Sequence, residues 1–415
     1  MSAGADIWEY GSEFNWISYQ PTPTPVLLPP VTRFYATGTN AMKALFASGI
    51  LKYETSRVWF PSYFCHDVTE SVASSGTLIS VYHDLPNTST PSLPIRDVRE
   101  GDIIYVVNYF GLREKLDYRP CRAKGAIIVE DHTHAPFSAW ANSSDADYCV
   151  ASLRKTLPIP DGAILWSPKG FTLPPKQAYH PQDRVGSFHK LCGMVLKTMY
   201  LNGITCEKPY YYDLLKIGEK TICRRLPSQS SPLLHDFLSR VHLAEWTTEH
   251  FIEALSYVGQ GVDKSYLHEL FTIGDKLIFQ DLASSDSAML EAFLQTYPIG
   301  EWDLARQNNH KLFCSLLPTN PRVEYKVLKP VSKDLIPFNI TVLFPSQEIR
   351  DRVRGGLVQS NIYPVVLWDV SKHDWTSNLA DQTGFSRRML TLACDGRYSE
   401  SDVTEAVTRF NMVTN

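Results

Sequence analysis

The tightest constraint on this chain is a set of short apolar runs that never alternate with polar residues. They are "GDIIYVVNYFG" (101–111), "KGAIIVED" (124–131) and "ADYCVAS" (146–152). A strand with one wet face reads apolar, polar, apolar, whereas these runs stay apolar at successive positions. Both of their faces must therefore be covered. Between and around them lie helical patterns at Ala41–Ala47 and in "DVTESVASSG" (67–76), with further strand signals in "RVWFPSYF", ending at Pro61, and "TLISVY". Short buried strands alternating with helices predict an α/β domain with a mostly parallel central sheet flanked by helices, over residues 32–183.

Ligands of such sheets gather at the carboxyl ends of the strands. The polar residues just past each run are thus the candidates: Cys65 and His66, Asn108, Asp131 and Lys155. Lys155 stands out because it sits between the run ending at Ser152 and a loop fixed by Pro158, Pro160 and Gly162.

The rest of the chain is expected to divide into three further parts. Residues 1–31 hold the Pro-rich run "QPTPTPVLLPP" and read as an extended N-terminal arm. Residues 184–320 are helical in character and contain a tandem repeat at a constant offset of 56, with copies at 184–238 and 240–294. "KPYYYDLLKIGEKTIC" from Lys208 aligns without gaps on "KSYLHELFTIGDKLIF" from Lys264, including Ile217-Gly218 on Ile273-Gly274. Two copies are too few for a solenoid, so this reads as a duplicated helical insertion. Residues 321–415 carry alternating strand and helix patterns and predict a smaller α+β domain.

Composition excludes several classes. A formal net charge of −4 provides no basic footprint for nucleic acid. No apolar run approaches the ~18 residues that span a bilayer, and the N-terminal residues lack a signal-peptide pattern. The eight cysteines show neither a CxxC pair nor a disulfide framework, which suits a reducing cytoplasm. His132 and His134 lack a third partner at ligand spacing, so no metal is expected.

Four requirements of pyridoxal 5′-phosphate (PLP) chemistry have candidates here: an imine-forming lysine, a carboxylate for the ring nitrogen, phosphate donors and a flat neighbour. Lys155 and Asp131 supply the first two. Gly38, Thr39 and Asn40 precede the first helix, whose free N–H groups suit a phosphate, and Ser152 adds a hydroxyl. Tyr63 and Phe64 follow a strand and are candidates to cover the ring.

In "ATGTNAMKAL", "VWFPSYFCHDVTESV", "DIIYVVNYFG", "IIVEDHTHA", "DYCVASLRKTLPIPDGAIL" and "LTLACDGRYSESDV" the chain resembles the DegT/DnrJ/EryC1/StrS family of fold-type-I PLP-dependent aminotransferases. The resemblance spans residues 11–170 and the last 95, and it is most specific at ED-x-x-H and S-x-x-K. It implies Lys155 as imine lysine and general acid/base, Asp131 as pyridinium partner, and His134 near the ring hydroxyl. Gly38, Thr39 and Ser152 fall at phosphate, and Asn108 beside the cofactor. It further implies a homodimer, an amino acid as amino donor, and a keto acceptor such as a keto sugar nucleotide from polysaccharide or natural-product biosynthesis. Arg397, or Arg387 and Arg388, are candidates to hold a substrate carboxylate. The family's GxNxR segment after the lysine is not evident, and the duplication has no family counterpart. "ARQNNHKL" (305–312) resembles a later family helix. Two alternatives use the same residues or fold: a PLP-dependent lyase or carbon–carbon bond-forming enzyme, and a non-catalytic binding protein.

Overall fold

In the computed structural model, residues 7–22, 26–51, 57–88, 91–176, 180–204, 208–224, 249, 252–253, 255–256, 264–270, 288–372 and 379–415 are described. A short strand β1 (Tyr10–Gly11) is followed by β2 (Thr32–Tyr35), α1 (Gly38–Ala47), β3 (Arg57–Pro61), α2 (His66–Ala73) and β4 (Leu78–Tyr82). β5 (Ile103–Val107), β6 (Ile127–Asp131), β7 (Tyr148–Ala151) and β8 (Ala163–Trp166) complete a seven-stranded sheet of order β2-β8-β7-β6-β5-β3-β4. The strands from β7 to β4 pair in parallel, and β8 is antiparallel to both of its neighbours.

The uninterrupted apolar runs follow from burial on both sides. Ile104, Val106, Ile128 and Cys149 enter one core, where Leu191 and Val195 pack. Tyr105, Val107, Val129 and Val150 enter a second core with Ala41 and Leu45 of α1. Each fully buried aliphatic side chain contributes roughly 1.5–3 kcal/mol relative to exposure, so a polar substitution on either face is costly. β2 carries no such signal, because it is an edge strand of four residues that are mostly half-buried.

Beyond the sheet come α3 (Pro181–Leu201) and α4 (Lys208–Arg224), then α5 (Lys264–Leu270), α6 (Ala288–Thr296) and α7 (Ile299–Ser315). α3 and α4 pack with their backbones nearly touching. A Cβ on Gly218 would lie 2.6 Å from the Gly186 carbonyl oxygen, and one on Gly193 would lie 3.0 Å from that of Tyr211. Residues 225–248 and 271–287, which hold much of both repeat copies, lie outside the described residues.

The C-terminal part contains β9 (Lys326–Val327), β10 (Ile340–Leu343), α8 (Gln347–Gln359), β11 (Ile362–Tyr363), α9 (Ala380–Arg388), β12 (Met389–Leu392) and α10 (Glu400–Thr414). β12, β10 and β9 form an antiparallel sheet. α10 opens on a capping box between Ser399 and Asp402. "IYPVVLW" is strand only at Ile362–Tyr363, and Pro364 follows directly, where a ring nitrogen has no N–H to pair. The described part of the N-terminal segment lies against the rest of the chain. β1 pairs in parallel with β11, and Trp16 is buried in the core of the large sheet. Among the described residues, no helix is long and apolar enough to cross a membrane.

Candidate active site

The carboxyl ends of β5, β6 and β7 and the start of α1 meet around a cavity of about 340 Å³. Gly38, Thr39, Phe64, Asp131, His134, Ser152 and Lys155 all line it. Asn40, Tyr63 and Asn108 do not. α1 begins at Gly38, so Gly38, Thr39 and Asn40 are its first turn rather than residues preceding it, and Thr37 is the N-cap. The Thr37 hydroxyl accepts from the Asn40 N–H at 3.1 Å, and the Asn40 amide donates to Asp183. No acidic residue occupies that first turn, so the positive end of α1 is not offset by a carboxylate of its own.

Gly38 makes a close approach possible: a Cβ there would lie 3.2 Å from the Ser152 Cβ. The helix start and the turn after β7 are thereby pressed together. That turn, Leu153–Lys155, is a single turn of 3₁₀ helix, which carries Arg154 and Lys155 to the cavity. The Lys155 ammonium lies 6.0 Å from the centre of the Trp368 ring, a residue of the C-terminal part held at a φ of +54°.

Asp131 ends β6 with both carboxylate oxygens engaged. Oδ1 accepts from the Thr133 N–H at 2.8 Å and Oδ2 accepts from the Tyr105 hydroxyl at 2.8 Å. Burial, then the Asp131 charge, pushes the Tyr105 phenol well above its usual range, so it stays protonated and donating. His134 is held by a different device. Its Nδ1 accepts from the Phe110 N–H at 3.1 Å, and Phe110 takes a φ of +53° to present that N–H. Burial, then the charges of Lys155 and Arg306, hold the imidazole well below its ordinary range. The ring is therefore neutral, and with Nδ1 accepting, its proton belongs on Nε2. His132 instead pairs with Glu130, 2.9 Å away, where Trp140 and Ser144 also donate.

Two sequence candidates take other places. Tyr63 is fully buried behind the cavity, its hydroxyl donating to the Leu367 carbonyl, and does not cover a ring there. Asn108 is buried at the end of β5, its N–H donating to the Asp131 carbonyl. Phe64 does line the cavity, but it stacks on Phe60 at 5.5 Å, with Cys65 beside it. Thr37, Tyr105, Thr133, Arg154 and Trp368 line the cavity without having been singled out in the sequence. Arg154 adjoins two candidates and was open to notice; Trp368, more than two hundred residues away, carried no local signal.

Lys155 also lines a smaller cavity of about 170 Å³ with Ser12, Phe14, Arg306, Asn339 and Arg397. Arg397 is already committed. Its Nε and Nη2 donate to the two Asp395 oxygens at 2.8 and 2.9 Å, Nη1 donates to the Glu13 carbonyl, and the guanidinium lies 4.4 Å from the Phe14 ring centre. Arg397 thus ties the N-terminal segment to the C-terminal part while lining the smaller cavity. Arg387 and Arg388 are exposed at the end of α9.

No family model matches the chain, and no curated protein matches it in sequence. Solved structures do. The putative sugar aminotransferase Spr1654 from Streptococcus pneumoniae, in its PMP-form, aligns at a TM-score of 0.54 and 13% identity, over 93% of this chain and 88% of that one. The aminotransferase TlmJ from Streptoalloteichus hindustanus aligns at 0.50 and 13%, over 92% and 85%. DesV from S. venezuelae, solved in complex with a ketimine intermediate, aligns at 0.51 and 13%, over 92% and 84%. These likenesses run nearly end to end, so the chain has the fold of these aminotransferases.

Proposed function

We propose that this protein is a PLP-dependent aminotransferase of the DegT/DnrJ/EryC1/StrS family, passing an amino group from an amino acid to a keto acceptor, with a keto sugar nucleotide as the favoured acceptor class. One observation carries the reading: Asp131 and Lys155 line the same cavity, together with the start of α1 and the Ser152 turn. No stability argument asks for that set of groups in one place. The residues fit the cofactor. Gly38 leaves room where a side chain would crowd Ser152, the helix start, with no acidic residue in its first turn, suits a phosphate, and a buried carboxylate faces the same space.

When bound, PLP supplies an electron sink for the carbanion left by loss of a Cα proton. The chain's own groups do the rest. Lys155 would provide the amine that holds the cofactor and would carry a proton for the reacting carbon. Asp131, fixed by Tyr105 and Thr133, would pair with the ring nitrogen. His134 would stand by the ring hydroxyl, and Thr39, Ser152 and the N–H groups of α1 would hold the phosphate. Phe64 and Trp368 supply the apolar walls. The resemblance also supports a homodimer, and the scattered cysteines without a disulfide framework support a cytoplasmic setting.

The test is a spectrum of purified protein with PLP, before and after L-glutamate, for wild type and Lys155→Ala. The expected outcome is an absorbance near the visible edge that glutamate shifts to that of the aminated cofactor, and that Lys155→Ala lacks. A protein that takes up no PLP sinks the reading. Uptake without a shift, across a panel of amino donors, turns it toward lyase or carbon–carbon bond-forming chemistry.

A further inference from the structure

Among the described residues, the region between the large sheet and the C-terminal part meets the cavity at Cys223 of α4 and at the contact of α4 with Arg154. This side chain lies on the turn between Ser152 and Lys155 and lines the cavity, yet only 14% of it is exposed. Its Nη1 donates to both oxygens of Glu219 on α4, at 2.7 and 2.8 Å. Nη2 reaches the Cys223 sulfur at 3.4 Å, and Cys223 is itself a cavity residue. Lys190 on α3 donates to the same carboxylate at 2.7 Å. Burial works to raise the Glu219 carboxyl, but Arg154 and Lys190 hold it well below the usual range. The cluster thus sets Arg154 and Lys190 against the Glu219 carboxylate, with Glu13 a further acidic neighbour of Arg154, and it fixes the guanidinium beside the cavity.

Two further features give that guanidinium a use. The Arg154 Nε–H is buried and has no hydrogen-bond partner among the described residues. The close contact of Gly38 with Ser152 also places the start of α1 two residues from Arg154. Of the other cavity cations, Lys43 shares its rim with Asp67 and Glu70, and Lys155 has its own task. A phosphate gains most from a partly desolvated guanidinium whose position is already fixed.

We infer that Arg154 is an anchor for the cofactor's phosphate and that Glu219 of α4 sets its position, which makes the helical region a working part of the cofactor site. This deepens the PLP reading and rests on it. The glycine contacts between α3 and α4 serve the same end, since they fix the distance at which Glu219 meets Arg154.

The experiment measures dissociation constants for PLP and for pyridoxal, which lacks the phosphate, by absorbance and fluorescence titration. Unfolding midpoints of each variant serve as a check on folding. Wild type is expected to prefer PLP strongly. Arg154→Gln should weaken PLP roughly 10- to 100-fold while pyridoxal changes little, and Arg154→Lys should keep part of the preference. Glu219→Gln should alter the PLP-to-pyridoxal ratio by about threefold or more with Arg154 present, and leave it unchanged in Arg154→Gln. Equal weakening of both ligands, or an undiminished preference in Arg154→Gln, overturns this inference and leaves the PLP reading intact. A wild type that binds neither ligand removes both.

Discussion

The Tyr105 hydroxyl donates to Oδ2 of Asp131 at 2.8 Å, a buried bond across two adjacent parallel strands. With the Thr133 N–H on the other oxygen, the carboxylate is aimed before anything binds. Asp131→Asn should therefore cost about 1–3 kcal/mol, because the amide oxygen can still accept from the Thr133 N–H while its NH2 cannot accept from the Tyr105 hydroxyl. It should also cut transamination on the order of 100-fold or more, because an amide cannot balance a charged ring nitrogen. Tyr105→Phe should cost about 1 kcal/mol of stability and lower kcat modestly, roughly tenfold. Denaturant unfolding and steady-state rates check both, and unchanged turnover in Asp131→Asn would remove Asp131 from the mechanism.

Arg397 ties the N-terminal segment to the C-terminal part through Asp395, the Glu13 carbonyl and the Phe14 ring. Arg397→Ala should lose about 2–4 kcal/mol of stability by leaving a buried carboxylate unpaired. Lysine should rescue it poorly, since it cannot bridge both oxygens. KM for the amino donor should move less than about threefold in any variant that stays folded. A large rise in KM with unchanged stability would restore the substrate role expected from the sequence.

His310 on α7 is buried, and burial is the main cause that lowers its pKa to about 4. A histidine kept neutral by folding takes up a proton in the unfolded chain below about pH 6.5 and in the folded chain only near pH 4. Its contribution to stability is therefore complete above about pH 6.5 and is lost as pH falls toward 4. His310→Gln should flatten the acid limb of the stability curve by roughly 2–3 kcal/mol across that window. Chemical denaturation at several pH values reads this directly, and an unchanged slope would refute it.

Gly218→Val should separate α3 from α4, because the new side chain meets the Gly186 carbonyl. The expected cost is about 2–3 kcal/mol, as for overpacked helix contacts. A fully stable Gly218→Val would mean that the helices are not held at this distance.

Much of the fold was legible because burial on both faces leaves an unmistakable pattern. β5 and β6 were plain, and Asp131 at the end of β6 fell at the cavity as sheet topology requires, whereas Asn108 beyond β5 is buried beside it without lining it. β2 was missed because an edge strand shares its pattern with a loop. Gly38, Thr39 and Asn40 read as preceding the first helix, since Gly38 and Asn40 are weak helix formers whose place in its first turn is set by the Thr37 cap. Within the site, Lys155 and Asp131 were readable by position. Trp368 and Glu219 were not, because each reaches the cavity or its border from a distant part of the chain. Tyr63 was misplaced by one residue of direction: neighbouring side chains leave a strand end on different sides, and Phe64 faces the cavity instead.

The pairing of Tyr10–Gly11 with Ile362–Tyr363 has a bearing on biosynthesis. During translation Tyr10 and Gly11 leave the ribosome about 350 residues ahead of the strand they pair with, so they must wait while the large sheet closes, and the pairing is a late step in maturation.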